Sequence, residues 1–324
     1  MGKILVTGAY GQIGSELTHA LRSKYGTDMV IASDLKKKLS AGNDEGLAIP
    51  LDCCDFSSLE EIVKKYGIDT IFHLASILSA SAEEKPQFAW NVNMGCLYNV
   101  LEIAREYKCR VFTPSSIACF GPSTPINNVP QITIQRPTTI YGITKVAGEL
   151  LCDYYFRKFH VDTRGVRYPG LISYKTPPGG GTTDYAVEIY YEAILNKKYT
   201  CYLEEGTFLD MMYMPDAIKA AIDLMEADSD RLINRNAFNI TAMSIAPENI
   251  AAEIRKHIPE FSIDYKVDPL KQSIADSWPN SLDDSAAKEE WDWKPEFDLA
   301  TMTVEMLEKL TEKLKSGVSV HQKP

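Results

Sequence analysis

Residues 3–34 constrain this chain more than any other stretch. Lys3 to Thr7 reads as a short buried strand, followed by Gly8-Ala9-Tyr10-Gly11-Gln12-Ile13-Gly14. A helical pattern through Leu17, Ala20 and Leu21 comes next, then a second apolar strand from Met29 to Ala32 that ends at Ser33-Asp34. The glycines allow the backbone to approach a pyrophosphate, and the start of the helix offers unpaired N–H groups to that anion. Gly8, Gly11, Gln12, Ile13 and Gly14 are therefore candidate pyrophosphate contacts. Asp34 can accept hydrogen bonds from both adenosine ribose hydroxyls and would repel a 2′-phosphate, which favours NAD over NADP. A tight turn alone would need the small residues but not Asp34.

Composition narrows the class. At 324 residues the chain can form one large domain or two smaller ones. No apolar run reaches membrane-spanning length, and no basic segment leads into a signal-like apolar one, so neither a membrane partner nor a leader is expected. The formal charge of −10 disfavours nucleic acid. Seven cysteines and five histidines are scattered without metal-ligand spacing. These features predict a cytoplasmic protein whose thiols are mostly core filler and which holds no metal.

A second constellation lies mid-chain. Tyr141 and Lys145 are four residues apart and share a face of a helix expected to run to Phe159. An ammonium on that face stabilises a phenolate, which suits a tyrosine to acid–base work. Alone, this spacing is a common accident of amphipathic helices. Downstream of a dinucleotide site it is a candidate catalytic pair.

The G-x-x-G-x-x-G spacing resembles that of the extended short-chain dehydrogenase/reductase family, and further matches follow the chain. Asp52-Cys53 ends a strand-like segment where that family places an acid near the adenine. Thr70 to Ala75 reads as a buried strand, and His73-Leu74-Ala75-Ser76 looks like the family's H-L-A-A segment beneath the cofactor. His73, at the end of that strand, reads as structural rather than as a base. Asn91-Val92-Asn93 opens or lies within a long helix, and the family uses the second asparagine, Asn93, to order the cofactor side. Arg110 to Ser116 reads as a fourth strand. The family pattern S-x-x-x-[YF]-G puts the catalytic hydroxyl on Ser116, while Ser115 points to the opposite face. The resemblance implies Tyr141 as general acid/base, Lys145 as ligand of the nicotinamide ribose and Ser116 as hydrogen-bond partner of the reacting oxygen. Tyr168-Pro169 replaces an R-x-F-N-like end found in sugar-nucleotide relatives, and by position both residues should edge the nicotinamide.

The second half is more distinctive. Pro177 to Tyr185 contains three glycines and two threonines ahead of a helix expected at Ala186 to Leu195, a set of donors suited to a small carboxylate. The alternative is a surface loop with Thr182, Thr183 or Asp184 as helix cap. Thr207 to Ala217 keeps Asp210 and Asp216 but lacks the arginine and histidine of sugar-nucleotide relatives. Its Met-Met-Tyr-Met run suits a compact core. Trp278 either caps a pocket or packs a junction, and packing is the commoner use of its bulk.

Together, G-G-G-T-T-D-Y, M-M-Y-M-P-D and S-W-P-x-S-L-D-D-S look like the short-chain family of L-threonine 3-dehydrogenases. That resemblance implies NAD-dependent oxidation of the L-threonine 3-hydroxyl, in threonine breakdown toward glycine or aminoacetone. It also implies substrate contacts at Ser79, Ser116, Tyr141, Thr182 and Thr183, and a homodimer through the Tyr141 helix and the one around Asn93 to Tyr107. The alternative is a redox-neutral sugar-nucleotide epimerase or dehydratase on the same scaffold. The expected fold is a Rossmann-type doubly wound parallel sheet with a smaller C-terminal part. Residues 1–170 would bind NAD, with segments near 210–240 returning to them. Residues 171–316 would mainly bind substrate, and 317–324 would be a tail.

Overall fold

The computed structural model describes residues 2–35, 46–177 and 181–316; the expected tail and residues 178–180 of the glycine loop lie outside the described residues. Lys3–Thr7 forms β1, and its Ile4, Leu5 and Val6 are fully buried, as in a strand covered on both faces. Helix α1 (Gln12–Tyr25) connects it to β2 (Val30–Asp34), and β3 (Ala48–Pro50) follows at the sheet edge. Helix α2 (Phe56–Tyr66) starts on the side chain of Asp55, which accepts the Ser58 N–H, and stops at Gly67 in the left-handed region. It returns the chain to the other side of β1, where β4 (Ile68–His73) pairs in parallel.

Helices α3 (Ser79–Glu84) and α4 (Pro86–Tyr107) lead to β5 (Arg110–Phe112) and β6 (Ser115–Ser116). Helix α5 (Ile140–Phe159) leads to β7 (Thr163–Arg164), β8 (Val166–Tyr168) and β9 (Gly170–Ile172). The main sheet has the order β3-β2-β1-β4-β5-β7 and is parallel throughout. Its winding reverses between β1 and β4, where such sheets open a ligand crevice at their carboxyl ends.

The expected fourth strand breaks at Thr113-Pro114, because proline has no N–H for the ladder. The Thr113 N–H still donates to the Arg164 carbonyl at 3.0 Å, so the sheet continues past the break. The expected Thr70 to Ala75 strand runs Ile68–His73 instead, although the Leu74 N–H still reaches the Thr7 carbonyl at 3.1 Å.

The second half adds α6 (Tyr185–Leu195), β10 (Lys198–Cys201), β11 (Leu209–Tyr213), α7 (Met214–Glu226), β12 (Phe238–Asn239) and β13 (Met243–Ile245). Then come α8 (Pro247–Arg255), β14 (Ser262–Tyr265), α9 (Pro269–Asp276), α10 (Ser285–Trp291) and α11 (Leu299–Lys315). Strand β12 pairs with β8, which pairs with β6, while β9 and β13 flank β11.

The period of two in β1 sorts the core. Ile4 and Val6 face a cluster with Leu17 of α1, Ala217 of α7 and Trp291 of α10. Leu5 faces the opposite cluster, with Leu59 of α2, Leu101 of α4 and Cys152 of α5. A third cluster joins α6, α8 and α11 and also takes in Ile117 to Phe120 and Val129. Residue 170 is therefore crossed in both directions.

Candidate functional site

Gly8 has φ +67°, and a Cβ there would lie 2.7 Å from the Ala75 nitrogen. The β1 turn thus rests directly on the segment that follows β4, and only glycine serves both the conformation and the contact. A Cβ on Gly14 would lie 2.1 Å from the Gly8 carbonyl oxygen, so this glycine seats α1 under the turn. Gly11 differs: a Cβ there would meet only the Gly8 oxygen, at 3.3 Å. Gly11 caps α1 without a side-chain hydrogen bond, and the first turn carries no acid. Ser15 is the first residue to bond back, to the Gly11 carbonyl at 3.0 Å. The helix therefore leaves the N–H groups of Gln12, Ile13 and Gly14 for an anion.

Asp34 sits half-buried at the end of β2, where its carboxylate accepts the Tyr10 N–H at 3.1 Å and the Leu35 N–H at 2.8 Å. Asp52 is exposed and accepts the Cys54 N–H at 2.9 Å. Cys53 is buried, and burial pushes its thiol up to about 12. A glycine turn, an open helix end and an oriented carboxylate are the donors and acceptor that a dinucleotide requires, so these residues fit NAD.

Leu74, Ala75 and Ser76 line a cavity with Asn93, Pro114 and Lys145. Asn93 is buried on α4 and clamps the loop after β4: its Oδ1 accepts the Ile77 N–H at 2.7 Å, and its Nδ2 donates to the Ile77 carbonyl at 3.2 Å. His73 lies beneath, with Nδ1 2.9 Å from Thr7 Oγ1. Burial, aided by the Lys145 charge, pushes its imidazole down to about 3. A ring held neutral in the core is poorly placed to serve as a base.

Helix α5 is fixed at its first turn. Thr139 Oγ1 accepts the Gly142 N–H at 3.1 Å, and Glu83 of α3 accepts the Ile140 N–H at 2.8 Å. Gly142 packs so closely on the Ala118 carbonyl that a Cβ would lie 2.1 Å from that oxygen. This seats half-buried Tyr141 beside the end of β6. Lys145 Nζ lies 5.3 Å from the centre of the Tyr141 ring and donates to the Pro114 carbonyl at 2.8 Å.

The two serines separate as strand alternation predicts. Ser115 is buried and donates to Glu149 of α5. Glu149 is itself held by Arg167, at 2.8 and 3.0 Å, and by Gln135 at 2.8 Å. Ser116 is half-buried, and its Oγ accepts the Ala118 N–H at 3.2 Å, which leaves its O–H to donate elsewhere. Glu83, Glu149 and Arg167 were not singled out from the sequence. Glu149 lies one turn past Lys145, but its partners come from distant strands and loops.

Tyr168 pairs with Ser116 in register, yet its side chain is buried and donates to the Ala217 carbonyl at 2.7 Å. Tyr168 can therefore edge a cofactor only through its backbone. Next along, a Cβ on Gly170 would lie 2.9 Å from Thr183 Cγ2, which places Thr183 beside the strand exit. Thr182–Asp184 is one 3-10 turn, closed by Asp184 accepting the Gly181 N–H at 2.7 Å. Thr182 is buried there, and Tyr202 holds the turn by donating to the Gly181 carbonyl at 3.1 Å. Ser79 opens α3 and is half-buried. Trp278 is packed in the C-terminal core, and Met211 to Met214 are fully buried.

By fold, the molecule is an extended short-chain dehydrogenase/reductase. The chain belongs to the NAD dependent epimerase/dehydratase family, whose model matches residues 4–241. An uncharacterized epimerase/dehydratase of Staphylococcus saprophyticus is 54% identical to it, over 98% of this chain and 100% of that one. The structure of L-threonine dehydrogenase from Clostridium difficile is 63% identical, with TM-score 0.95 over 97% of this chain and 98% of that one. The holo form of a GalE-like L-threonine dehydrogenase from Cupriavidus necator is 50% identical, with TM-score 0.92 over 95% and 99%. A monomeric L-threonine 3-dehydrogenase of metagenomic origin, in its apo form, is 47% identical, with TM-score 0.90 over 95% and 99%. The chain is thus an enzyme of oxidoreductase type within this family. Among the described residues, no helix is long and apolar enough to cross a membrane.

Proposed function

We propose that this enzyme oxidises the 3-hydroxyl of L-threonine to 2-amino-3-oxobutanoate with NAD, feeding threonine breakdown in the cytoplasm. The observation that carries the reading is the seating of the Tyr141–Lys145 turn on the end of β6, with Ser115 committed to Glu149 and Ser116 left to donate. The threonine dehydrogenases among its structural neighbours support it. Bound NAD would supply the hydride acceptor. Gly8 to Gly14 and Asp34 would hold its pyrophosphate and adenosine ribose, with Asp52 and Cys53 toward the adenine. Leu74, Ala75, Ser76, Lys145 and the backbone of Tyr168 and Pro169 would flank its nicotinamide half. Asn93 would keep the loop after β4 in place.

Ser116 donates a hydrogen bond to the substrate 3-hydroxyl oxygen, and Tyr141 takes its proton. Lys145 places positive charge beside the tyrosine ring. Ser79, Thr182 and Thr183 receive the small carboxylate. Residues 1–170 form the NAD-binding part and 171–316 mainly the substrate part. Two copies associate through α4 and α5.

Redox-neutral turnover of a nucleotide sugar is the second reading, and the family description favours it. The missing arginine and histidine around Asp210, which sugar-nucleotide relatives carry, speak against it.

The test is NADH formation from NAD with L-threonine, L-serine, D-threonine, L-allo-threonine or UDP-glucose. NADH from L-threonine alone is the expected outcome. Silence with every amino acid, together with a new nucleotide sugar on chromatography, would transfer the assignment to the second reading. Tyr141→Phe is expected to cut turnover by about 100-fold or more while NAD still binds. Full activity in that variant removes Tyr141 as the base. Asp34→Ala is expected to weaken NAD binding and to admit NADP, read from the ratio of kcat/KM values for the two cofactors. An unchanged ratio dismisses the ribose role.

A further inference from the structure

We propose that Cys54 and Cys96 form a reversible dithiol–disulfide site that staples the turn before α2 to helix α4. Forty-two positions separate them in sequence, yet their sulfurs lie 2.7 Å apart. That is inside the contact distance of two non-bonded sulfurs. Closure to a disulfide of about 2.0 Å requires a further approach of only about 0.7 Å.

The surrounding contacts already hold the two segments together. Asn99, one turn after Cys96 on α4, donates through Nδ2 to the Cys53 carbonyl at 2.9 Å and the Cys54 carbonyl at 3.1 Å. Asp55 then caps α2, so the turn is anchored on both sides of Cys54. The pair also divides the chemistry. Cys54 is exposed and meets the oxidant, whereas Cys96 is buried and burial pushes its thiol up, so it waits as a protonated partner.

Asp52 places a carboxylate oxygen within 4.8 Å of both sulfurs, so the trio resembles a metal-binding set. A tetrahedral zinc would hold two thiolate sulfurs about 3.8 Å apart, given bonds of about 2.3 Å. The pair would have to separate by about 1 Å to bind that ion, a larger movement than disulfide closure requires.

The oxidant class is a peroxide. Cys54 attacks it, its sulfur becomes a sulfenic acid, and one water leaves. The Cys96 sulfur then attacks the Cys54 sulfur, the S–S bond forms, and the hydroxyl departs with the Cys96 proton as a second water. Two electrons pass from the two thiols to the peroxide. A thiol reductant reverses the bond by exchange.

The test uses reduced full-length protein and a slight excess of hydrogen peroxide. Two of the seven thiols should be lost. The intact mass should fall by about 2 Da, and peptide mapping should find Cys54 joined to Cys96. Dithiothreitol should restore both thiols. The melting temperature should rise by about 5 °C, because the bridge closes a long loop. Cys54→Ser should abolish thiol loss and the melting shift together. Cys96→Ser should leave Cys54 as a sulfenic acid trapped by dimedone. Should the buried replacement prevent folding, the exposed Cys54→Ser decides alone. An unchanged thiol count, Cys54 bridged to another cysteine or another chain, or a zinc ion that copurifies and shields the thiols would each overturn the proposal. None of these readouts depends on the substrate or the cofactor.

Discussion

His73 shows at the scale of one residue how burial decides a role. Its ring is enclosed, bonded to Thr7 and pushed down to about 3, against an ordinary value near 6.5. Below pH 6.5 the unfolded chain takes up a proton here that the folded chain refuses, so stability falls as pH falls toward 3. From pH 6.5 to pH 5 this group alone should cost on the order of 1–2 kcal/mol. Urea unfolding of the wild type and of His73→Asn at both pH values isolates it, because other titrating groups cancel in the difference. An equal pH dependence in the two proteins would mean that the folded ring titrates normally. The separation of Ser115 from Ser116 has the same local origin. Strand alternation makes the two faces legible in the sequence, but not that a buried carboxylate on α5 claims Ser115. Tyr168 marks the limit of such reading. Its place at the exit of a strand is legible, but not that it pairs with Ser116 or that its side chain turns into the core, where the Ala217 carbonyl satisfies its hydroxyl.

The glycine turn and α1 make a testable element, because their three glycines do different things. Gly14→Ala drives a Cβ into the Gly8 carbonyl and must displace the helix. It should destabilise the fold by about 1–3 kcal/mol, the usual cost of overpacking. Gly11→Ala meets only one contact, at 3.3 Å, and its backbone suits alanine. That variant should unfold like the wild type yet bind NAD more weakly, since the methyl occupies the open end of the helix. Chemical denaturation and NAD titration of both variants separate the two roles; equal stability loss in both would refute the distinction. This element was readable because its strand, glycines, helix and acid lie within 32 consecutive residues, although the Ala75 backbone beneath Gly8 does not. The fourth strand, read as continuous from Arg110 to Ser116, breaks at Pro114. The distant contacts that hold α5 were not readable, because Glu83 meets Ile140 across 57 positions and Arg167 meets Glu149 across 18. No local periodicity encodes such pairings, nor the meeting of Cys54 with Cys96.

Over the whole molecule, α4 and α5 lie side by side on one face of the sheet, with the Tyr98 and Tyr155 rings 6.4 Å apart. Their inner positions supply the core, and their outer positions keep large apolar groups in solvent: Tyr98 at 52% exposure, Leu150 at 63% and Tyr154 at 52%. A stable pairing of copies buries about 800 Å² on each partner. The formal charge of −10 on each copy opposes that association at long range. Salt screens the repulsion and spares the apolar contact, so association should tighten as ionic strength rises from about 0.01 M to 0.15 M. Sedimentation velocity at micromolar protein should find a dimer, whose dissociation constant falls with added salt. The paired change Leu150→Glu and Tyr154→Glu puts two charges on side chains that are more than half exposed, and should yield a folded, fully monomeric protein. The monomeric metagenomic relative shows that this fold exists as a single copy, so the experiment is decisive either way. A wild type that sediments as a monomer at all salt concentrations would leave these residues as ordinary surface. A dimer that survives both glutamates would place the interface elsewhere.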